Sequence, residues 1–335
     1  MAFGALSQRA QVLRLRPVAL GALRAYRFTV RRVRLLNHGF NTIFRVDTDG
    51  GPSFALRINV NSRRSPRQIG AETAWLAALA RDTDLCVPVP QPTQDGRLMQ
   101  ELWMPAMGRA LPVTVFSWLP GRNLGEQATP AQLREVGRAA AILHAHALTW
   151  AMPEGTGLSS LRDPLMDTPN WLDREHELLT PEHREVVSEA LSRVEAALAR
   201  VYAQDTPRPL HADLHPWNLK WHRGRLSVFD FDDSGMGVPM QDLAISAYYL
   251  RPRAELEMAL LEGYAAAAPL LAFAQADYEA VVAGRNLVLL NDLLEDTTAE
   301  LRAQLPRYVP NSVTRLRHFL ETGVFQHDVD GLITA

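Results

Sequence analysis

The densest run of chemically competent side chains is His211-Ala212-Asp213-Leu214-His215-Pro216-Trp217-Asn218, and Asp230-Phe231-Asp232-Asp233 begins twelve residues after Asn218. Asp and Asn side chains are hard oxygen donors, the kind that suits Mg2+. With Asn218 and Asp230 assigned to a cation, Asp213 is left as a carboxylate that can orient a hydroxyl nucleophile. Two other readings compete. His211, Asp213 and His215 have the residue types of a transition-metal hydrolase, but that leaves Asn218 and the later aspartates without a role. A polar loop whose His and Asp satisfy buried backbone groups needs no ligand, yet it does not require Asn218 and Asp230 at these spacings.

The surrounding pattern says what must position these groups. Pro207 and Pro209 start the first run in a loop, and the apolar Leu226-Ser227-Val228-Phe229 delivers Asp230 from a strand. A hairpin with arms Asn218 to His222 and Arg225 to Phe231 around Arg223-Gly224 can carry Asn218 and Asp230 to one end. The first third is β-rich. It offers strands over Phe28 to Leu36, Thr42 to Thr48 and Ser53 to Val60, the last two flanking Asp49-Gly50-Gly51. In the third, Phe54, Leu56 and Ile58 alternate with Ala55, Arg57 and Asn59, so Arg57 lies opposite the apolar trio. Ser65-Pro66-Arg67-Gln68 is a capping box opening a helix to about Arg81. Leu98 to Trp103 and Pro112 to Trp118 complete the strands.

Beyond Pro120-Gly121 the pattern turns helical. Thr129-Pro130-Ala131-Gln132 caps a helix to about Leu148 that buries Leu133, Val136, Ala140 and Leu143. Residues 150–180 form an irregular insertion. Thr180-Pro181 opens a helix with the stripe Val187, Leu191, Val194, Leu198 and Val201, and helices resume from about Met240. The expected class is α+β, with a β-rich lobe over 1–118 that carries an N-terminal helical extension. A mainly helical lobe over 119–335 joins it near Trp118, with a cleft between.

The run HADLHPWN…SVFDFDD followed by MQDLA resembles the aminoglycoside phosphotransferase and choline kinase-like family, which shares the protein-kinase-like two-lobe fold. Within it the spacing is most similar to the bacterial stress-response Ser/Thr kinase A (RdoA-like) and homoserine kinase type II groups. The resemblance implies ATP and Mg2+ as cofactors, Asp213 as catalytic base, and Asn218 and Asp230 as holders of the metal. It implies that His211 braces the loop, that Asp242 of Gln241-Asp242-Leu243 holds the loop backbone from below, and that His215 and Asp232 support the site. In the first lobe, Leu36 to Asn41 falls where the family places its nucleotide loop. Arg57 stands where kinases use a lysine on the phosphates, with Glu72, fifteen residues on, as partner carboxylate. Phe116 and Trp118 of Val115 to Leu119 would lie at the adenine-binding connector. Ala212, where the family usually has glycine, Trp217 before Asn218, and Arg57 itself depart from the pattern. The last of these motivates an alternative, a nucleotide-binding regulator without catalysis.

Composition narrows the partners. The 335 residues carry 35 Lys+Arg against 37 Asp+Glu, and 47% are hydrophobic, so a large core forms and no basic face for nucleic acid is expected. Cys86 is the only cysteine, which excludes an internal disulfide or a Cys-cluster zinc site. No apolar run reaches the ~18 residues of a membrane span, and Tyr264 to Ala276 is broken by Pro269. Nine arginines precede Asp47, the first acidic residue. That composition suits a presequence, but it continues into a strand and is read as a surface helix pair with a basic face, in a cytoplasmic protein. The acceptor is a hydroxyl of a small molecule or of a protein Ser/Thr. Asp292, Glu295, Asp296 and Glu300 are compatible with a polycationic acceptor but read better as a solvated helix face, and Arg285 could meet a carboxylate or a phosphate.

Overall fold

The computed structural model describes residues 3–62, 64–269, 273–295 and 302–334. It forms two compact units: Met1–Arg122 with Trp150–Gly157 and Trp221–Asp232, and Asn123–Thr149 with Leu158–Lys220 and Asp233–Ala335. The first unit therefore takes in two later stretches that a single division near Trp118 leaves out. One is recruited by Trp150, whose ring lies 6.2 Å from that of Trp75. The other is recruited by Val228, whose N–H donates to the Cys86 carbonyl at 3.0 Å.

The first unit is built on a five-stranded antiparallel sheet in the order β1-β2-β3-β5-β4. Its strands are β1 (Val30–His38), β2 (Asn41–Thr48), β3 (Phe54–Asn59), β4 (Gln100–Met104) and β5 (Arg109–Ser117). β1 lies two residues later than Phe28 to Leu36, and β2 starts one residue before Thr42. His38 pairs with Thr42, so Leu36 to Asn41 runs from the end of β1 through Gly39-Phe40 into β2. The expected N-terminal helix pair is a single helix, α1 (Gln8–Leu23), after one turn of 3-10 helix at Phe3–Ala5. It buries Leu15, Val18, Ala19, Ala22 and Leu23 in the core shared with the sheet and leaves Arg9, Arg14 and Arg16 exposed. α2 (Pro66–Asp82) starts at Ser65 with the capping box formed in full. Its buried face carries Ile69, Trp75, Leu76 and Leu79, and Trp75 packs edge-on against Phe231 at 5.5 Å.

β6 (Arg122–Asn123) follows, and the second unit begins within it. That unit contains α3 (Pro130–Thr149), α4 (Pro181–Tyr202), α5 (Pro239–Leu250), α6 (Ala254–Ala267), α7 (Gln275–Glu295) and α8 (Leu305–Thr322). A small sheet of β7 (Ser159–Ser160), β11 (Gly235–Gly237) and β8 (Arg208–Leu210), in that order, is too short to leave a periodic signal in the sequence. β9 (Leu219–His222) and β10 (Arg225–Val228) flank Arg223-Gly224, both at positive φ as a tight primed turn demands. Asn218 and Phe231 sit in turns of 3-10 helix just outside these strands rather than within the arms.

α3 and α6 cross at a pair of glycines. A Cβ on Gly137 would stand 2.0 Å from the Leu260 carbonyl oxygen, and one on Gly263 would stand 2.0 Å from that of Arg134. Backbone cannot yield as a side-chain tip does, so even one methyl forces the helices apart. Gly137→Ala is expected to cost about 3 kcal/mol, the upper end for overpacking, read as a lower urea midpoint. A midpoint equal to wild type would refute the close crossing.

Candidate active site

The catalytic-loop candidates are held from both ends. β8 runs into His211, and the turn Pro216–Asn218 closes the loop. Ala212 adopts φ +64°, the left-handed region that disfavours side chains and suits glycine, and Asp230 does the same at +66°. A non-glycine residue stays in that region only where its surroundings over-determine it. At Ala212 the determinant is Asp242, fully buried in the first turn of α5. Its carboxylate accepts the N–H of His211 at 3.1 Å and of Ala212 at 2.5 Å. His144 of α3 adds a contact absent from the sequence reading: its Nε2 donates to Asp242 Oδ2 at 2.9 Å, and Nδ1 accepts from the Tyr264 hydroxyl at 3.0 Å. His144 lies four residues after Ala140 on the apolar stripe of α3, and that placement was its only signal.

Asp213 is surrounded by donors. Asn218 Nδ2 donates to Oδ2 at 2.8 Å and to the Asp213 main-chain oxygen at 3.1 Å. His215 Nε2 stands 3.2 Å from Oδ2, and its Nδ1 accepts from the Trp217 N–H, which fixes the proton on Nε2. Arg285 Nη2 meets Oδ1 at 2.6 Å, and the Tyr249 hydroxyl is 3.4 Å from the same oxygen. Burial alone would raise the Asp213 carboxyl. The Arg285 guanidinium and the hydrogen bond from His215 outweigh it and hold the group well below the usual carboxylate range. Arg285 sits in α7 with its side chain 5% exposed and pairs with the carboxylate of Asp213 within the chain. Its place inside the apolar run Ala280–Leu290 signals a buried partner without naming it. Tyr249 went unnoticed in the sequence.

The histidines do not form a metal trio. His211 Nδ1 accepts from the Asp213 N–H, as His215 Nδ1 does from Trp217, so one ring nitrogen of each serves the backbone. Among the described residues no three His, Cys, Asp or Glu side chains are arranged to hold a metal by themselves. The chemistry that fits a cation is all-oxygen. Asn218 turns its amide nitrogen to Asp213, which leaves the carboxamide oxygen as a donor atom. Asn218 belongs to the second unit and Asp230 to the first.

A second polar cluster lies inside the first unit. Arg57 of β3 makes a bidentate pair with Glu72 of α2, at 2.8 and 2.7 Å, and both are buried. Burial works against the charge on Arg57, but Glu72, Asp232 and Asp230 outweigh it and raise its affinity for the proton. Asp232 is partly buried. It accepts from Asn41 at 2.9 Å and Asn59 at 3.2 Å, and Arg57 Nη1 is 3.6 Å away. Asn41, expected at a phosphate loop, thus ties the first hairpin to the turn after Asp230. Val115 to Ser117 is interior strand, with the Val115 oxygen taken by Gln91 and the Ser117 N–H by Val89, so a connector starts only at Trp118. Guanidinium groups cover both aromatic rings proposed for the base: Arg57 lies 5.2 Å from Phe116 and Arg45 lies 4.5 Å from Trp118. Asp292 and Glu295 are half-buried in α7 rather than a solvated face, and Asp296 and Glu300 lie outside the described residues.

Comparison with known proteins follows the same outline. A family model described as the phosphotransferase enzyme family matches residues 32–281. The amicoumacin kinase of Bacillus subtilis (strain 168) is 28% identical over 229 residues, covering 67% of this chain and 64% of that protein. Among solved structures, the microcompartment-associated aminopropanol kinase is 26% identical with a TM-score of 0.79, covering 93% of this chain and 99% of that one. An amicoumacin kinase in complex with AMP-PNP, Ca2+ and Ami is 20% identical with a TM-score of 0.74, covering 92% and 96%. The likeness in fold extends over both the sheet-bearing and the helical unit. Among the described residues, no helix is long and apolar enough to cross a membrane.

Proposed function

The chain belongs to the phosphotransferase enzyme family, and from that footing we propose that it transfers the γ-phosphoryl group of ATP to a hydroxyl of a small molecule. The observation that carries the reading is Asp213. It is a carboxylate fixed by four side-chain donors in a loop that the buried Asp242 holds in a left-handed bend. Phosphoryl transfer through a loose transition state asks mainly for placed groups. Asp213 orients the acceptor hydroxyl and takes its proton as the O–P bond forms. Asn218 and Asp230 would hold a divalent cation, Mg2+ by the chemistry of their oxygens, which neutralises charge on the phosphates when bound. Arg57, braced by Glu72, and Asn41 serve the nucleotide, and the segment that leaves β5 at Trp118 serves the base.

The names of the relatives favour a small molecule over a protein Ser/Thr as acceptor: one acts on amicoumacin and another on aminopropanol. The motive for a non-catalytic regulator weakens, because Arg57 keeps the ion pair with Glu72. A screen of hydroxyl compounds, aminopropanol among them, for stimulated ADP release tests the proposal. Release stimulated by an alcohol and accompanied by its phosphate ester supports it, and ATP binding with no acceptor-dependent release would count against it. Asp230→Ala is expected to weaken AMP-PNP binding in Mg2+ by at least about tenfold, measured by calorimetry. Unchanged affinity would remove Asp230 from the metal.

A further inference from the structure

We propose that Arg285 is a positioning residue for phosphoryl transfer: with the Tyr249 hydroxyl it fixes Oδ1 of Asp213 and so reserves Oδ2 for the acceptor hydroxyl. The inference rests on the assignment of Asp213 as the group that orients the acceptor. A carboxylate offers about four lone-pair directions, and Asp213 meets four side-chain donors: Arg285, Tyr249, Asn218 and His215. An incoming hydroxyl must therefore displace one of them.

The donors are not equally easy to displace. Arg285 makes the shortest contact, 2.6 Å, and is charged and 5% exposed, so leaving it unpaired is the costliest exchange. Its guanidinium is locked further by Tyr249, whose oxygen accepts from Nε at 3.0 Å and from Nη2 at 2.9 Å. Asp233 Oδ2, 3.7 Å from Nη2, adds a second negative charge on that side. Asn218 grips both Oδ2 and the main-chain oxygen of Asp213. His215 contacts Oδ2 at 3.2 Å, the longest of the contacts to that oxygen, and its side chain is 16% exposed. The hydroxyl enters where His215 gives way, at Oδ2, while Arg285 stops the carboxylate from turning to follow it.

The test measures ADP release from Mg-ATP with aminopropanol as acceptor, and with water as acceptor where aminopropanol adds nothing, in which case kcat and AMP-PNP affinity are the readouts. Arg285→Met is expected to lower kcat about 100-fold, the loss typical of a group displaced by ~1 Å, with acceptor KM and AMP-PNP affinity little changed. Arg285→Lys keeps the charge without the planar fork and recovers part of the loss. Unchanged kcat in Arg285→Met overturns the proposal. So does a raised acceptor KM at constant kcat, which would make Arg285 an acceptor-binding group. Equal loss of AMP-PNP affinity and cooperative melting in both variants would assign it a purely structural role. If Arg285→Met does not fold, Arg285→Lys and Tyr249→Phe carry the test, with kcat expected to fall at constant KM. Turnover surviving in Asp213→Asn sinks the assignment of Asp213 itself. Full turnover in Arg285→Met beside a dead Asp213→Asn sinks only the positioning role.

Discussion

Asp213→Asn is expected to reduce acceptor-dependent ADP release by about 10³-fold or more, within the range for losing a positioned general base, while AMP-PNP binding stays close to wild type. The substitution is nearly isosteric, so packing survives, but the hydrogen-bond polarity does not. Arg285, Asn218 and His215 all point donors at this side chain. A carboxamide accepts at one oxygen only, and its nitrogen must face a donor on the other side. It also withdraws the negative partner from a buried guanidinium. Breaking such a pair costs about 3 kcal/mol, at the low end of the range for buried pairs, because Asp233 still stands 3.7 Å from Arg285 Nη2. Two readouts therefore move together: turnover collapses and the thermal midpoint falls. Equal loss of nucleotide affinity and turnover would show that Asp213 is a structural member of the nucleotide site.

Removing the acceptor beneath the loop should be costlier for folding. Asp242→Ala leaves the N–H groups of His211 and Ala212 and the Nε2–H of His144 without their acceptor in a site sealed from water. Each buried donor left unmade costs about 1–3 kcal/mol. The set acts as one network, so about 4 kcal/mol is expected for the whole rather than the sum. Ala212 would then lose what holds it at φ +64°, and Asp213, the next residue, would lose its bearing. The expected result is a large drop in urea midpoint with loss of turnover. Asp242→Asn, which keeps one acceptor oxygen, should fall between. A variant melting like wild type would show that the loop is held by something else.

The two predictions differ in how far the sequence alone leads to them. Asp213, Asn218 and Asp230 stand out by residue type and spacing along the chain, because local sequence dictates a loop and a hairpin, while Asp242 is marked by the resemblance of Gln241-Asp242-Leu243 to the family pattern. The strands and helices that position them were legible for the same reason. Period-two alternation in β3 and the Ser65 capping box at α2 are decided within a few residues. Elements without a local signature escaped: the three-residue strands β8 and β11, the two-residue hairpin end at Gly39-Phe40, and the return of Trp150 and of Trp221–Asp232 to the first unit.

What the chain marked by itself is a set of candidate groups, since hard oxygen donors at these spacings restrict the possible ligands, and the motif they form carries the resemblance to the family. Only the tertiary structure decided which groups are spoken for. Arg285 stands 72 residues from Asp213, and His144 stands 98 from Asp242. Pairings over such separations are set by how helices and loops pack, and not by any local preference of the chain. A buried charge or polar ring must find a partner, and the sequence shows that need while the fold alone names the partner.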